Sequence, residues 1–241
     1  MKKHKMQKSI SVYAYTMVYD TGFAPSVSDN TLSLACCKTY LRYKIANQHP
    51  EENAIYLIGL CGKQMSDRHC FEKNYFPVYI AKITRTVKTE EYYSKSEYKL
   101  RPDVQYEYKD GQWYVLPTNP HHNVKSRKEH SKPDEEKDIY YIRSSRHEIN
   151  YVLLSENEFV CFGNKYKDFD KYNSLPQVIK NICVERKNAC RSDLTPIGFT
   201  SQDSIDEFLQ FFHQNKKGNN QVSTIDKHFL SGGCKGEKKC R

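Results

Sequence analysis

The length and composition of the chain exclude several classes of protein. Its 241 residues are enough to bury a core that needs neither disulfides nor a metal to fold. Only 38% of the residues are hydrophobic, and no apolar run reaches the ~18 residues of a membrane-spanning helix, so no membrane span is expected. Aromatic residues make up 13%, which argues against a disordered chain and favours strands.

The net charge of +9 comes from the two ends of the chain. Residues 1–12 carry four lysines and no acid, and residues 214–241 carry seven basic and two acidic residues. The body between them is neutral, with 27 residues of each sign. We therefore predict a flexible basic segment at 1–8, one domain at 9–213 and a disordered basic tail at 214–241. Such ends add non-specific affinity for the phosphates of nucleic acids.

The cysteines indicate a reducing compartment and no metal. The chain has nine cysteines, and its charged start is not followed by the apolar segment of a secretory signal. We expect reduced thiols and a cytoplasmic protein. No Cys-x-x-Cys pair is present, so a structural zinc site is not predicted. No cofactor is predicted either, because the phosphate-binding glycine loops and the zinc-protease and deaminase signatures are absent.

The first half of the chain is predicted to hold three strands and two helices. Residues 9–19 are β-branched and aromatic, which is typical of a strand, and 54–60 form the continuous apolar run of a buried one. Residues 29–31 resemble a helix cap, so a helix is expected to extend to Ala46. The other expected elements are a polar loop at 61–76, an alternating strand at 78–87 and a short helix at 89–95.

The second half begins with the clearest hairpin of the sequence. Residues 106–116 place Asp110 and Gly111 between two aromatic runs, as a type I′ turn requires. A loop at 117–137 is long enough to be functional or mobile. Ser204 and Glu207 match a capping box at the start of the last helix. Three further strands are predicted at 139–143, 149–154 and 158–162, and two helices at 175–185 and 204–213.

These elements predict an α+β fold. Strands do not alternate regularly with long helices, which disfavours a doubly wound parallel sheet. A curved, mainly antiparallel sheet, or a small β-barrel, with flanking helices fits the order of elements better.

The strongest candidate for a ligand site follows the first strand. Asp20 stands at a strand end, where its carboxylate can accept from a base amine or a ribose hydroxyl, and Gly22 permits close backbone approach. Lys38 and Arg42 are four residues apart, so on a helix they share one face and can hold a phosphate. The alternative is a turn and a solvated basic face with Asp20 capping the helix, and spacing alone favours this alternative.

Four other residues are candidates for chemistry or stacking. Cys36 lies near the expected helix start and beside Lys38, the setting of an activated thiolate, although a buried inert cysteine is commoner. His121 and His122 can supply a general base or a pocket lid, or are simply solvated. Trp113 can stack on a base or pack across its hairpin.

Three segments resemble the nucleotide modification associated domain 2 family. The most specific is the opening motif, which includes Tyr13, Tyr15, Asp20, Gly22, Phe23, Ala24, Pro25, Thr31, Cys36, Cys37, Lys38 and Arg42. Residues 53–62 and 151–163 are similar to the family's central strand and to its closing strand pair. The resemblance spans residues 11–185 and implies a link to bacterial and bacteriophage DNA modification or conflict systems.

The order of elements also looks like that of PUA-like barrels such as the EVE, ASCH and YTH domains. That resemblance implies a pocket beside the first helix that holds a modified base. Phe23 or Trp113 would stack on the base. The full set of expected ligand contacts is Asp20, Gly22, Phe23, Ala24, Pro25, Lys38, Arg42, Gly59, Gly62 and Trp113.

We therefore expect recognition of a modified base or nucleotide within a DNA-modification or phage-defence system. An enzyme acting on a nucleotide or modified base is the first alternative, with Asp20 as general base, Cys36 as nucleophile and His121 or His122 completing the site. A protein–protein adaptor in a defence complex, docking through the basic tails, is the second. The sequence leaves the oligomeric state open.

Overall fold

The computed structural model describes residues 10–18, 20, 24–35, 38–104, 106–116, 150–188 and 195–216. The strands among them are β1 (Ile10–Met17), β2 (Ser26–Ser28), β3 (Thr31–Leu34), β4 (Ala54–Cys61), β5 (Pro77–Ile83), β6 (Arg85–Lys88), β7 (Tyr106–Lys109), β8 (Gln112–Val115), β9 (Tyr151–Glu156) and β10 (Phe159–Cys161). The helices are α1 (Thr39–Ala46), α2 (Lys63–His69), α3 (Thr89–Ser94), α4 (Phe169–Asn173), α5 (Gln177–Asn188) and α6 (Gln202–Lys216), with a 3-10 turn at Ser96–Tyr98. The predicted α+β class is confirmed.

Eight of the described strands form two four-stranded sheets. Sheet A has the order β1-β4-β5-β10, in which β1 and β4 are parallel and the other neighbours antiparallel. Sheet B has the order β2-β3-β9-β6 and is antiparallel. Strands β7 and β8 form the expected hairpin, with positive φ at Asp110 and Gly111. None of these sheets closes into a barrel, so the antiparallel character is confirmed and the barrel is not.

Two strands lead directly into a strand of the other sheet. Strand β5 of sheet A continues into β6 of sheet B, and β9 of sheet B continues into β10 of sheet A. Thr84 marks the first break, because its amide and its hydroxyl both donate to the Leu154 carbonyl, over 2.9 and 3.3 Å. The single strand predicted at 78–87 is therefore two strands. Its alternation continues through the corner, so periodicity alone does not reveal the break.

The first half of the long predicted helix folds as the β2–β3 hairpin. Asp29 and Asn30 join the two strands with φ values of 48° and 59°, as in a type I′ turn. Leu32 and Leu34 are buried, and α1 begins only at Thr39. The Asp-Asn pair is a turn and not a helix cap, and the alternation that follows it is the period of a strand.

Helices α2 and α6 differ from the sequence predictions. Helix α2 lies in the segment predicted as a loop at 61–76, and only Met65 and Ser66 of it are buried, so it carries little apolar periodicity. Helix α6 begins before the predicted capping box, since the Ser201 hydroxyl accepts from the Ser204 amide over 3.2 Å. It also continues to Lys216, into the segment predicted as tail.

Glu207, the other member of the predicted capping box, serves a different helix. Its carboxylate accepts from the backbone amides of Gln177 and Val178, over 3.2 and 3.3 Å, at the start of α5. Glu207 therefore supplies partners to the first turn of α5, where amides lack acceptors within the helix.

Elements lie against both faces of sheet A. The ring of Tyr56 on β4 contacts those of Phe208 and Phe212 on α6, with centroids 5.2 Å apart in each pair. On the opposite face, Gln48 just after α1 donates to the Tyr13 hydroxyl. Polar side chains on that second face are therefore enclosed. No helix in the described ranges is both long enough and apolar enough to cross a bilayer.

Candidate ligand-binding site

Three side chains form a row across sheet A. Tyr15, Gly59, Tyr79 and Cys161 are successive partners on β1, β4, β5 and β10, so they lie at one level of the sheet. The Tyr79 hydroxyl donates to the Tyr15 hydroxyl over 2.9 Å, and the two rings meet edge to face with centroids 6.2 Å apart. We call Tyr15, Tyr79 and Cys161 the tyrosine row.

Gly59 makes the contact between the two tyrosines possible. A Cβ atom at this position would lie 2.2 Å from Cε1 of Tyr79 and 2.6 Å from Sδ of Met17. Gly59 was expected to contact the ligand, but these two side chains fill the space beside it. The structure thus assigns Gly59 to packing, where it lets side chains from the strands on either side meet.

The two tyrosines of the row are buried, and Cys161 beside them is half-buried. Tyr15 and Tyr79 are 3% and 1% exposed. Burial, and then the neighbouring Tyr15, raise the pKa of Tyr79 well above its usual 10.0. Burial, and then the charge of Asp20, raise the pKa of Cys161 to about 12. Both shifts favour the protonated forms, the hydroxyl of Tyr79 and the thiol of Cys161.

Asp20 lies close to the row, in the segment after β1. The residue is 5% exposed, and its negative charge contributes to the raised pKa of both Tyr79 and Cys161. Asp20 thus occupies the position beyond the carboxyl ends of the parallel strands β1 and β4, an edge at which α/β sheets commonly bind ligands.

Lys38 adjoins the Tyr15 end of the row. Its Nζ lies 5.2 Å from the centroid of the Tyr15 ring, which is the distance of a cation–π contact. Lys38 has φ 59° and ψ 42° and immediately precedes α1, so the chain changes direction at this residue. Lys38 thus lies over the Tyr15 end of the row, whereas the charge of Asp20 acts on Tyr79 and Cys161 at the other end.

Arg42 and Gly62 both make contacts within the protein that join neighbouring elements. Arg42 is fully buried and donates to the Tyr151 carbonyl of β9, so it does not share a solvated face with Lys38. Gly62 donates its amide to the Met17 carbonyl over 2.9 Å, and a Cβ there would lie 2.7 Å from that oxygen. Gly62 thus joins the ends of β1 and β4.

Trp113 belongs to a different part of the core. Its ring packs against Tyr93 and Tyr108, with centroids 5.7 and 4.8 Å away, in a hydrophobic cluster separate from the one that contains Tyr15 and Tyr79. The contacts of Trp113 therefore fit the cross-strand alternative better than base stacking at the row.

The remaining predicted residues divide into two groups. Ala24 and Pro25 are joined by a cis peptide bond, Pro25 is buried, and Ala24 packs against the core that includes the tyrosine row. The residues that lie outside the described part of the chain are Gly22, Phe23, Cys36, His121 and His122.

A buried polar network anchors the hairpin that connects Asp20 to Lys38. The Asp103 carboxylate accepts from the Ser33 hydroxyl over 2.6 Å and from the Tyr92 hydroxyl over 2.9 Å. Arg101 donates to the Tyr92 hydroxyl over 2.9 Å and to hairpin carbonyls, including that of Ser28 over 3.1 Å. Burial raises the pKa of Asp103, and the hydrogen bond from Ser33 and the charge of Arg101 reduce that rise.

Sequence reasoning missed the roles of Tyr79, Cys161 and Asp103. One signal for the row was available, because a glycine inside a buried strand indicates close approach of another group at Gly59. The network around Asp103 carries no local signal, since Ser33 and Asp103 are separated by 70 positions.

The described residues give two further results on cysteines and metals. Cys70 is disulfide-bonded, so the expectation of reduced thiols is wrong for this cysteine. Across the described ranges, no group of three or more histidine, cysteine, aspartate or glutamate side chains is placed to hold a metal ion.

Comparison with known proteins identifies a family. The family model described as nucleotide modification associated domain 2 matches residues 9–227, a range that includes both sheets and the tyrosine row. No curated protein and no solved structure matches the chain.

Proposed function

The chain belongs to the nucleotide modification associated domain 2 family, and on that basis we propose that it recognises a modified base or nucleotide at the tyrosine row. Family membership associates the chain with nucleotide modification systems. The observation that carries the proposal is the buried Tyr15–Tyr79 hydroxyl pair, with Asp20 close to one end and Lys38 over the other.

Asp20, Lys38 and the tyrosines Tyr15 and Tyr79 carry groups that suit the edge of a base. An ionised Asp20 accepts hydrogen bonds from an exocyclic amine or a ring N–H, whereas each tyrosine hydroxyl both donates and accepts. Lys38 adds a positive charge that suits a phosphate oxygen or a base carbonyl. The functional groups of a modified nucleotide are thus matched by donors, acceptors and one cation.

Burial supports selectivity among bases. A buried polar site rejects an analogue that lacks the matching group, because its own donors and acceptors are then left unpaired. Tyr15, Tyr79 and Asp20 are all at most 5% exposed. A site of this kind is able to distinguish a modified base from an unmodified one by a single hydroxyl or amine.

The same geometry favours binding over catalysis. Cys161, the thiol of the row, is held in its protonated form by burial and by Asp20. The enzyme alternative needs Asp20 as general base together with Cys36 and His121 or His122, and of these only Asp20 lies within the described residues. That alternative and the adaptor alternative remain predictions.

A thermal-shift screen with nucleosides and nucleotides of modified and unmodified bases tests the proposal. A specific ligand at 100 times its dissociation constant adds about 2.7 kcal/mol to the stability of the folded state. We expect one modified class to stabilise the chain selectively, and Asp20→Asn and Lys38→Gln to abolish that stabilisation. Lys44→Gln on α1 is the control for Lys38. A stabilisation that survives both site substitutions would contradict the proposal.

A further inference from the structure

The segments beside Asp20 meet at one edge of sheet A. Strands β1, β4 and β10 end at this edge and β5 begins there, as their parallel and antiparallel pairings require. Four segments therefore adjoin it: the one after β1 that contains Asp20, helix α2 after β4, residues 70–76 before β5 and residues 162–173 after β10.

Hydrogen bonds join these segments into one surface. The Lys73 amide donates to the Lys167 carbonyl over 2.8 Å, which links the segment before β5 to the one after β10. The Arg68 guanidinium of α2 donates to the Val18 carbonyl over 3.1 Å, two residues before Asp20. Lysines on the joined segments thus have fixed positions relative to the site at Asp20.

Three lysines on this surface lie over aromatic rings. Lys73 Nζ is 4.2 Å from the ring centroid of Tyr172, and Lys167 Nζ is 5.8 Å from that of Phe71. Lys165 Nζ is 5.2 Å from the centroid of the Tyr166 ring. We call Lys73, Lys165 and Lys167 the lysine edge. Lys73, before β5, thus lies over a ring of the segment after β10, and Lys167, after β10, lies over a ring of the segment before β5.

One exposed ring and two half-buried rings accompany the lysine edge. Phe169 is 53% exposed, and Lys73 Nζ lies 5.0 Å from its centroid. The rings of His69 and Phe71 are stacked, with centroids 5.3 Å apart and an interplanar angle of 18°. An exposed ring beside ammonium groups, as at Phe169, suits an unpaired base and its phosphates.

Acidic residues on the same segments limit the charge of the surface. They are Asp20, Asp67, Glu72, Asp168 and Asp170. Glu72 accepts from the Phe169 amide over 3.0 Å, so it holds the exposed ring in place. The surface is therefore of mixed charge, and the placement of lysines on rings, more than a net positive field, indicates its ligand.

We propose that the lysine edge binds a single strand of DNA, so that the base read at the tyrosine row arrives as part of a strand. The inference rests on the proposed function for the place of the read base. Stacking on Phe169 needs an unpaired base, which excludes an intact duplex at this surface. The strand's phosphates pair with Lys73, Lys165 and Lys167.

The salt dependence of binding to an oligothymidine of about 15 nucleotides tests the inference, using the full chain and fluorescence anisotropy. Each phosphate contact contributes about 0.7 to the slope of log K against log salt for a single strand. The triple variant K73Q/K165Q/K167Q removes three such contacts, so its slope is expected to be smaller in magnitude by about 2 than that of the unaltered chain. The matched control K82Q/K88Q/K109Q has the same net charge and the same tails, and its slope is expected to stay unchanged.

A second variant separates stacking from charge. Phe169→Ala removes an exposed ring, so it leaves the fold intact and is expected to weaken oligothymidine binding about 5- to 150-fold. Equal slopes for the two triple variants, or full affinity in Phe169→Ala, would overturn the inference. Nucleotide binding that depends on Tyr79 would still stand in that case, because the oligothymidine carries no modified base and reports only on the lysine edge.

Discussion

The Tyr79 hydroxyl donates to the Tyr15 hydroxyl across Gly59, so two strands that are not neighbours in sheet A touch through their side chains. The contact needs the missing side chain of the strand between them. It places two buried hydroxyls beside Asp20 and Lys38, and the proposed recognition of a base depends on this arrangement.

Gly59→Ala is expected to destabilise the fold by about 1–3 kcal/mol, because the added methyl overlaps the Tyr79 ring and Met17 Sδ. Urea denaturation measures the change. Gly198→Ala is the control, since a Cβ there meets no atom within 4 Å, and it is expected to stay within about 0.5 kcal/mol of the unaltered chain. Equal stabilities for the two variants would show that the row tolerates a side chain at Gly59.

Asp103→Ala is expected to cost about 3–5 kcal/mol, because it leaves the Arg101 charge buried without its carboxylate partner. The loss is measured from the urea midpoint. Glu91→Gln breaks an exposed pair with Lys95 and serves as the control, with little change expected. A mild effect at Asp103 would mean that the network does not anchor the β2–β3 hairpin.

Stability is expected to fall steeply in alkaline solution. Burial is the largest cause that raises the pKa of Tyr56, Tyr166 and Tyr172 from 10.0 to about 12. Above pH 10 the unfolded chain releases these protons while the folded chain keeps them. The free energy of unfolding therefore falls as the pH rises. Cys183, raised from 9.0 to about 12 mainly by burial, starts the decline near pH 9.

Urea midpoints measured from neutral pH into the alkaline range check this decline. The stabilising contribution of the tyrosines is complete below pH 10 and is lost as the pH approaches about 12. The triple variant Y56F/Y166F/Y172F is expected to show a shallower decline, because it lacks three of the titrating groups. A profile that is flat to pH 11 in the unaltered chain would contradict the assigned burial.

Local patterns in the sequence predict much of the fold. The apolar run at 54–60 is β4, and the Asp110–Gly111 pair marks the β7–β8 hairpin. The β2–β3 hairpin was missed because Asp29 and Asn30 have the composition of both a helix cap and a turn. Packing of Leu32 and Leu34 in the core decides between the two.

The candidate site depends on pairings that no local pattern contains. Asp20 and Lys38 were predicted together, and the structure places both beside the tyrosine row. Tyr79 joins them only through the register of β1 with β4 and of β4 with β5. Arg42 lies apart from Lys38, because α1 packs against β9 and the Arg42 guanidinium donates to the Tyr151 carbonyl.

The affinity of the chain for the modified nucleotide selected by the thermal screen tests the central claim most directly. We would measure it by titration calorimetry for the unaltered chain, Tyr79→Phe and Tyr56→Phe. Loss of one partner in a buried hydrogen bond costs about 1–3 kcal/mol, so Tyr79→Phe is expected to bind about 5- to 150-fold more weakly. Tyr56 lies on the face of sheet A that packs against α6, and its substitution is expected to leave the affinity unchanged. Equal affinities for the two variants would contradict recognition at the tyrosine row.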